Sequence, residues 1–297
     1  MPPPRVRPKH IRVAQLSVTP EAAEAEMKSL GSTKQTQARR ESALRFLIKQ
    51  PEAINLSWIY AETSCKLADL QELEERGLIR LFENEIFRDP LGKLEKQEIN
   101  DDFELTNEQN FALEKVISSF NHPSSFLLYG VTGSGKTEIY LRAAEETIKR
   151  GKQVIVLVPE IALTPQLVRR FLSRFPGQVG LVHSKLSEGE RYDTWRRARD
   201  GKLNVIIGAR SALFSPLKNI GLIVADECHD SSYYQGEPPF YNAVIAAQEY
   251  AKLCGAVCVL GSATPTVEQR FEFINSPLLR GRGVRGEVNF RVAESRH

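Results

Sequence analysis

The pattern of hydrophobic and polar positions divides the chain into two parts with different predicted elements. From residue 105 onward, apolar runs such as "SSFLLYG", "QVIVLVP", "NVIIGAR", "GLIVADE" and "AVCVLGSATP" alternate with segments of helical periodicity. Strands that are apolar throughout and separated by helices are typical of a parallel sheet covered on both faces. The pattern therefore predicts an α/β domain over residues 105–275.

Residues 33–90 show a different pattern, in which apolar positions recur at helical intervals. Leu44, Leu47 and Ile48 mark a helix that Pro51 ends, two shorter helices follow, and "LIRLFENEIFRD" predicts a small hairpin. Three helices followed by a hairpin is the order of a winged-helix domain. The third predicted helix, "KLADLQELEERG", carries mixed charge, so DNA contact and a spacer role packed on the larger domain remain equally open.

The remaining segments are predicted to be connecting or unassigned stretches. Residues 1–32, rich in proline and charge, are expected to form an extended connector followed by a short helix in "TPEAAEAEMKSLG". Residues 91–104 are polar and read as a linker, and residues 276–297 match no predicted element.

Composition places the chain among ordinary soluble proteins. Apolar residues make up 41% and charged residues 26% of the 297 residues. No run approaches the ~20 apolar residues that a membrane helix needs, and "MPPPRVRPKH" lacks the apolar core of a signal peptide. We therefore expect a cytoplasmic protein that does not contact a membrane.

Charge and cysteine content add weaker constraints. The net charge is only +3, yet residues 1–50 hold ten Lys/Arg against four Asp/Glu, and "RYDTWRRARDGK" and "RGRGVRG" are also basic. Such patches either contact nucleic-acid phosphates or form a solvated surface, and charge alone does not decide between them. The four cysteines are too few and too irregularly spaced for a disulfide framework or a zinc site, so zinc is not expected.

The strongest chemical signal is "GVTGSGKT", which follows the predicted strand "FLLY" and precedes a predicted helix. It matches the pattern G-x-x-x-x-G-K-[ST], whose backbone N–H groups wrap phosphates. In that pattern, Lys136 places its charge on the β- and γ-phosphates, and the Thr137 hydroxyl is a ligand for Mg²⁺. The predicted phosphate-binding residues are Gly130, Val131, Thr132, Gly133, Ser134, Gly135, Lys136 and Thr137.

A second candidate site lies in "LIVADECHD", where an apolar strand ends in two carboxylates. Asp226 is predicted to hold the metal, and Glu227 is predicted to orient or deprotonate the attacking water. A carboxylate pair in this position could also cap a helix. His229 is interpreted as a relay to neighbouring motifs rather than as a zinc ligand.

The strings "GVTGSGKT", "DECH" and "GSATP" resemble, in this order, motifs I, II and III of superfamily 2 helicases. Longer strings, including "LVPEIALTPQ" and "HSKLSEGERYDTWRRARDGK", resemble the bacterial replication-restart helicases of the primosomal protein N′ family over roughly residues 10–275. The resemblance implies a RecA-like P-loop NTPase lobe that uses ATP and Mg²⁺. It also implies 3′-to-5′ unwinding of forked or single-stranded DNA, with primosome and single-strand-binding proteins as partners.

The resemblance further implies roles for individual residues. Gln109 in "LTNEQ" would contact adenine, the alternative being an ordinary helix-surface glutamine. Thr264 would couple hydrolysis to DNA movement, and the aromatic-rich loop "SSYYQGEPPFYNA" would stack on bases. The residues expected to face DNA are Thr164, Gln166, Arg210, Ser211, Tyr233, Tyr234, Gln235, Phe240 and Tyr241.

The sequence also departs from the family pattern. Cys228 stands where the family usually has a second glutamate, which removes a local charge. An N-terminal DNA-end-binding domain, a second motor lobe with arginine fingers and a zinc module are not recognised. We therefore expect a truncated helicase that is inactive alone. The alternatives are a nucleotide-responsive DNA- or primosome-binding module and a folded remnant without activity.

Overall fold

The computed structural model describes residues 6–88, 90–91, 104–274 and 291–296. These residues belong to two compact units, one of Arg7–Phe87 and one that continues from Arg88. Most of the predicted linker (91–104) and of the tail (276–297) lies outside the described residues. Among the described residues, no helix is both long enough and apolar enough to cross a membrane.

The first unit combines a three-stranded antiparallel sheet of order β2-β1-β3 with four α-helices. Its elements are β1 (Lys9–Leu16), α1 (Pro20–Glu26), α2 (Lys34–Ile48), β2 (Ile54–Asn55), α3 (Leu56–Thr63), α4 (Leu67–Glu75) and β3 (Ile79–Ile86).

Local sequence explains where these helices begin and how they pack. The Thr33 hydroxyl accepts the N–H of Thr36 and caps α2, and Leu44 and Leu47 of that helix are buried in the core. Asp69 of α4, only 3% exposed, accepts a hydrogen bond of 3.0 Å from Arg39 Nε. This pairing satisfies the buried carboxylate and fixes α4 against α2.

Two element predictions for this unit are wrong. "LIRLFENEIFRD" does not form a hairpin, because β3 runs as one strand and pairs along its whole length with β1, from Leu16 opposite Ile79 to Lys9 opposite Ile86. The segment contains no Asn-Gly or Asp-Gly turn, so nothing in it reverses the chain. Residues 9–16, predicted as an extended connector, are instead the central strand of the sheet. The winged-helix interpretation stays a prediction.

The second unit contains a seven-stranded sheet of order β12-β4-β11-β8-β5-β7-β6. Its helices are α5 (Asn107–Ser118), α6 (Lys136–Lys149), α7 (Pro165–Arg174), α8 (Glu188–Arg199), α9 (Ala243–Cys254) and α10 (Val267–Ile274). Its strands are β4 (Ser124–Tyr129), β5 (Gln153–Leu157), β6 (Val179–Val182), β7 (Val205–Gly208), β8 (Ile220–Ala225), β11 (Val257–Ser262) and β12 (Arg291–Arg296). The two-residue strands β9 (Tyr234–Gln235) and β10 (Tyr241–Asn242) form a separate hairpin.

The six strands β4, β5, β6, β7, β8 and β11 are parallel, and β12 pairs antiparallel with β4 at one edge. Alternate residues of each strand belong to different cores: Ile155 and Ile223 lie in one, Val156 and Val224 in the other. Because successive side chains point to opposite faces, the sheet is buried on both sides. The predicted α/β fold is confirmed, and the parallel arrangement brings the carboxyl ends of the strands to one edge.

A buried ion cluster fixes α6, the helix after the phosphate loop, to α7. Glu138 is 4% exposed, and its carboxylate accepts hydrogen bonds from Arg142 Nε at 3.0 Å and from Nη2 of Arg170 and Arg174, both at 3.2 Å. Arg142 lies one turn along α6, whereas the other two arginines come from α7. The carboxylate therefore links the two helices.

Replacing Glu138 with glutamine should lower the free energy of unfolding by about 2 kcal/mol. The variant keeps the size of the side chain but leaves three partly exposed guanidinium groups around a neutral amide. Urea denaturation followed by circular dichroism measures the change. Glu145→Gln is the matched control, because that carboxylate is 37% exposed and should contribute less than about 0.5 kcal/mol. Equal losses in the two variants would contradict the structural role of Glu138.

Candidate functional site

The predicted phosphate loop joins the carboxyl end of β4 to the first turn of α6. Gly133 and Gly135 have φ angles of 81° and 87°, which only glycine adopts without strain. A side chain on Gly135 would also collide with the amide of Gln109. The glycines thus allow the loop to fold over the N-terminus of α6, an arrangement that suits anions because the first helical N–H groups have no partner within the helix.

Lys136 is the first residue of α6, and it is 7% exposed because its side chain folds back into the loop. Its Nζ donates to the carbonyl oxygens of Gly130 at 2.7 Å and Val131 at 3.2 Å. The N–H of Gly130 donates in turn to the carbonyl of Ser262, at the end of β11. The ammonium group is therefore held in the concave side of the loop, and the loop is attached to a neighbouring strand.

Both ends of the Gln109 side-chain amide form hydrogen bonds within the protein. Its Oε1 accepts from the N–H of Thr106 at 2.9 Å, and its Nε2 donates to the carbonyl of Ser134 at 2.8 Å. The side chain thereby fastens the start of α5 to the phosphate loop. The amide keeps a second N–H and a second oxygen lone pair, so these bonds do not prevent the predicted contact with adenine, which stays a prediction.

Asp226 follows β8 and points to the inner face of α6. Its Oδ1 accepts a hydrogen bond of 3.0 Å from the hydroxyl of Tyr140. Burial raises the pKa of the Asp226 carboxyl, and the bond from Tyr140 opposes part of that shift. Burial also raises the pKa of the Tyr140 hydroxyl well above its usual value, so that hydroxyl remains a donor at neutral pH.

Glu227 and His229 connect this carboxylate to the segment after β11. Glu227 has a φ of 47°, an uncommon value for a residue with a side chain. His229 Nδ1 lies 3.5 Å from Glu227 Oε2 and 2.8 Å from Ser262 Oγ, and Ser262 Oγ accepts the N–H of Thr264 at 3.0 Å. Polar contacts thus run without a break from Glu227 to Thr264.

The phosphate loop and the Asp226–Glu227 pair meet at the carboxyl edge of one parallel sheet, and a family comparison agrees with that geometry. The family model for DEAD/DEAH box helicase matches residues 108–272, which is more than half of the chain. The chain belongs to this helicase family. The matched range starts beside Gln109 and ends in α10, so it includes the whole candidate site.

The helicase chain is also similar to proteins named replication restart protein PriA. It is 43% identical to that of Bacillus subtilis over 236 residues, which is 78% of this chain and 29% of the relative. It is 41% identical to that of Chlamydia pneumoniae over 261 residues, covering 85% of this chain and 33% of the relative. The chain therefore spans about a third of the length of these relatives.

Two solved structures are similar to part of this chain. RecG bound to a three-way DNA junction is 26% identical with a TM-score of 0.42, over 55% of this chain and 21% of that one. The Pyrococcus furiosus Hef helicase domain is 25% identical with a TM-score of 0.41, over 55% of this chain and 35% of that one.

Two residues predicted to face DNA have partners inside the protein. Tyr233 is 1% exposed, and its hydroxyl donates to the carbonyl oxygen of Asp226 at 2.6 Å, so the prediction that its ring stacks on bases is corrected. Arg210 Nη1 donates to the carbonyl oxygens of Ser232 and Tyr234 at 3.0 and 2.9 Å. Nη1 of Arg210 thereby holds the loop after Glu227, and contact between this half-buried guanidinium group and DNA stays a prediction.

The other predicted DNA-facing residues lie at or near the surface. Tyr234 and Phe240 are 57% and 62% exposed. The Thr164 hydroxyl accepts the N–H of Leu167 and caps α7, which is a local structural role. Contact with DNA stays a prediction for the exposed or half-buried residues Thr164, Gln166, Ser211, Tyr234, Gln235, Phe240, Tyr241 and Thr264.

Three residues of the candidate site, Tyr140, Ser262 and Gln269, were not predicted from the sequence. Tyr140 comes four residues after Lys136, so the two side chains share one face of α6. This spacing could have predicted that Tyr140 lies near the site. Gln269 Nε2 donates to the carbonyl of Cys228 at 2.9 Å and joins α10 to the carboxylate segment. That contact has no sequence signature. Burial raises the pKa of the Cys228 thiol to about 12, so this side chain carries no charge at neutral pH.

Proposed function

We propose that the chain supplies the nucleotide-binding lobe of an ATP-dependent 3′-to-5′ DNA helicase that acts in replication restart. The observation that carries the proposal is the hydrogen-bonded arrangement of the phosphate loop, the Asp226–Glu227 pair and the end of β11 at one edge of the sheet. Similarity to the PriA relatives supports the restart role, and the family resemblance supports the polarity.

The residues present fit a nucleotide with Mg²⁺. Lys136 would exchange its two loop carbonyls for phosphate oxygens, and the N–H groups at the start of α6 would bind the same phosphates. Thr137 and Asp226 would hold Mg²⁺, which neutralises charge on the β- and γ-phosphates when bound. Among the described residues, no three His, Cys, Asp or Glu side chains cluster as a metal site. Mg²⁺ bound with a nucleotide needs only one or two carboxylates.

Hydrolysis would depend on groups around Glu227. Its carboxylate would accept a proton from the attacking water, and His229, 3.5 Å away, would hold that carboxylate in place. Tyr140 would keep one Asp226 oxygen oriented and leave the other for the metal. Ser262 contacts both His229 and Thr264, so a movement of His229 would displace Thr264. We propose that this chain of contacts couples hydrolysis to movement of the DNA strand.

We further propose that these 297 residues bind ATP but hydrolyse it slowly and do not unwind DNA by themselves. In P-loop enzymes an arginine from outside the phosphate loop contributes about 10³–10⁵ in rate. Stepping along a strand requires two lobes that open and close, and the region of family similarity forms one parallel sheet. Forked or single-stranded DNA, primosome proteins and single-strand-binding proteins are the proposed partners, and the cytoplasm is the proposed location.

A chimera tests the helicase assignment. Residues 105–275 would replace the corresponding lobe of the Bacillus subtilis PriA relative, and displacement of a labelled strand would be measured on duplexes with a 3′ or a 5′ tail. We expect ATP-dependent displacement from the 3′-tailed duplex. The same chimera with Lys136→Ala is the control and should be inactive. Displacement from the 5′-tailed duplex alone would overturn the polarity.

The isolated chain distinguishes the alternatives. We expect it to bind Mg²⁺·ATP, to hydrolyse it slowly with stimulation by single-stranded DNA, and to displace no strand. Robust displacement would contradict the need for a second lobe. ATP-dependent DNA affinity without hydrolysis would favour a nucleotide-responsive binding module, and the absence of nucleotide binding would favour an inactive remnant.

A further inference from the structure

The backbone of Glu227 has a conformation that few residues with a side chain adopt. Its φ of 47° lies in the left-handed region. Among the described residues, Ser64 is the other non-glycine residue with a positive φ, and it ends α3, a position where that conformation is common. Glu227 instead comes directly after the Asp226 that follows β8, so its conformation costs free energy that neighbouring contacts offset.

Hydrogen bonds hold the segment that follows Glu227. The carbonyl of Glu227 accepts the N–H of Asp230 at 2.9 Å. The N–H of Cys228 donates to the carbonyl of Gly261 at 2.8 Å, and the carbonyl of Cys228 accepts Gln269 Nε2 at 2.9 Å. Both backbone polar groups of Cys228 are therefore bonded, one to β11 and the other to α10.

The residue before Glu227 is held by other elements. The N–H of Asp226 donates to the carbonyl of Leu157, at the end of β5, at 2.9 Å. The carbonyl of Asp226 accepts the Tyr233 hydroxyl at 2.6 Å. Neither bond involves α10, so Gln269 can be changed without removing either of them.

The side-chain amide of Gln269 makes two separate contacts. Its Oε1 accepts the N–H of Thr266 at 3.0 Å, and the backbone N–H of Gln269 donates to the Thr266 hydroxyl at 3.2 Å. These reciprocal bonds form a capping box at the start of α10, which needs only an acceptor on the side chain. Glutamate serves that purpose in α8, where Glu190 accepts the N–H of Ser187. The Nε2 donor, which glutamate lacks, is the part that binds Cys228.

We propose that Gln269 is a positioning residue for Glu227, because its Nε2 holds the Cys228 carbonyl and thereby keeps the backbone of Glu227 left-handed. The inference rests on the proposed function, since it assigns Gln269 to ATP hydrolysis through Glu227. In the held conformation, the Glu227 carboxylate lies 3.5 Å from His229 Nδ1. Without the bond, the backbone relaxes toward the right-handed region, and the carboxylate moves away from the attacking water. Gln269 itself touches neither nucleotide nor metal.

Amide hydrogen exchange of the full chain, resolved by residue, tests the contact without nucleotide or DNA. Gln269→Glu keeps the capping acceptor and removes the donor, so the amides of Cys228 and Asp230 should exchange roughly tenfold faster. Thr266→Ala is the matched control, because it weakens the cap and keeps the donor. It should speed exchange of the Gln269 amide and leave the amides of Cys228 and Asp230 unchanged. Equal acceleration at Cys228 in both variants, or in neither, would overturn the proposal.

A second substitution tests whether the left-handed backbone of Glu227 is what Gln269 holds. Glycine adopts a positive φ without strain, so in a Glu227→Gly background Gln269→Glu should speed exchange at Cys228 less than about twofold. The comparison is between the Glu227→Gly protein and the double variant, which cancels the flexibility that glycine adds by itself. An acceleration of roughly tenfold in this background as well would mean that strain is not the reason, and it would overturn the proposal.

Nucleotide binding and hydrolysis separate positioning from general damage to the site. Gln269→Glu should leave affinity for a fluorescent ATP analogue within about twofold, because its amide bonds to Cys228 and Thr266 rather than to the phosphate loop. The single-turnover rate of hydrolysis at saturating Mg²⁺·ATP should fall roughly tenfold, because the catalytic carboxylate is misplaced. Weaker binding with an unchanged rate would contradict a positioning role.

The outcomes distinguish this inference from the proposed function. If the wild-type chain binds and hydrolyses ATP and Gln269→Glu hydrolyses it at the same rate, Glu227 does not depend on Gln269, and only this inference fails. If the wild-type chain hydrolyses no ATP, the proposed function fails and the role of Gln269 in hydrolysis fails with it.

Discussion

Replacing Lys136 with alanine should weaken the binding of Mg²⁺·ATP roughly 100-fold. Hydrogen bonds to charged groups contribute up to about 3 kcal/mol each, and the Nζ of Lys136 is buried in the loop where the phosphates would lie. The substitution also removes the bonds to the carbonyl oxygens of Gly130 and Val131, which hold the loop in shape. Titration with a fluorescent ATP analogue measures the change.

The control for this prediction is Lys149→Ala. Lys149 lies in the last turn of the same helix, and its side chain is 64% exposed in an ion pair with Glu145. Its removal should change nucleotide affinity less than twofold, because an exposed charge at the far end of α6 is screened by solvent. Unchanged affinity in the Lys136 variant, with both proteins folded, would refute the assignment of the phosphate loop.

The sheet could be predicted from sequence, and so could the position of the candidate nucleotide site on it, because the signals for both are local. Each parallel strand is a continuous apolar run, and "GVTGSGKT" requires glycine wherever the backbone adopts a positive φ, as Gly133 and Gly135 do. The Asp226–Glu227 pair ends an apolar strand, and parallel topology alone brings it to the edge that holds the loop. No long-range information was needed for either.

Contacts between distant segments were not predictable in the same way. The pairing of residues 9–16 with 79–86 depends on which of several possible strands a segment meets, and one sequence does not specify that. The sequence predicts no protein partner for Arg210, whereas in the structure it donates to the carbonyl oxygens of Ser232 and Tyr234. Tyr233 reads as a surface aromatic until its burial is known. In each case a partner more than six residues away decides the role.

Gly261 is an example of a contact between distant segments that shapes the candidate site. It lies in β11 opposite Leu128 of β4, and its carbonyl accepts the N–H of Cys228 at 2.8 Å, so its backbone is fixed on both sides. A Cβ at this position would overlap the Tyr140 hydroxyl and lie 3.0 Å from Asp226 Oδ1. Glycine is therefore the residue that lets the Tyr140–Asp226 hydrogen bond form.

Replacing Gly261 with alanine should lower the free energy of unfolding by about 3 kcal/mol, the upper range for overpacking a rigid core. Tyr140→Phe alone should lower it by about 1.5 kcal/mol through the lost hydrogen bond to Asp226. Urea denaturation of both variants gives these values. Gly236→Ala is the control, because a Cβ there meets nothing within 4 Å, and it should be nearly neutral.

The double variant, Tyr140→Phe with Gly261→Ala, decides whether the two residues act through one contact. Removing the hydroxyl takes away the closest overlap with the new methyl group and leaves the ring carbon Cζ of residue 140 at 2.9 Å, so the double variant should be more stable than Gly261→Ala alone. The interaction energy in this cycle should be about 2 kcal/mol, within the range for residues in direct contact. Losses that simply add would mean that alanine disturbs the sheet elsewhere, and that the Tyr140 hydroxyl does not determine the glycine at this position.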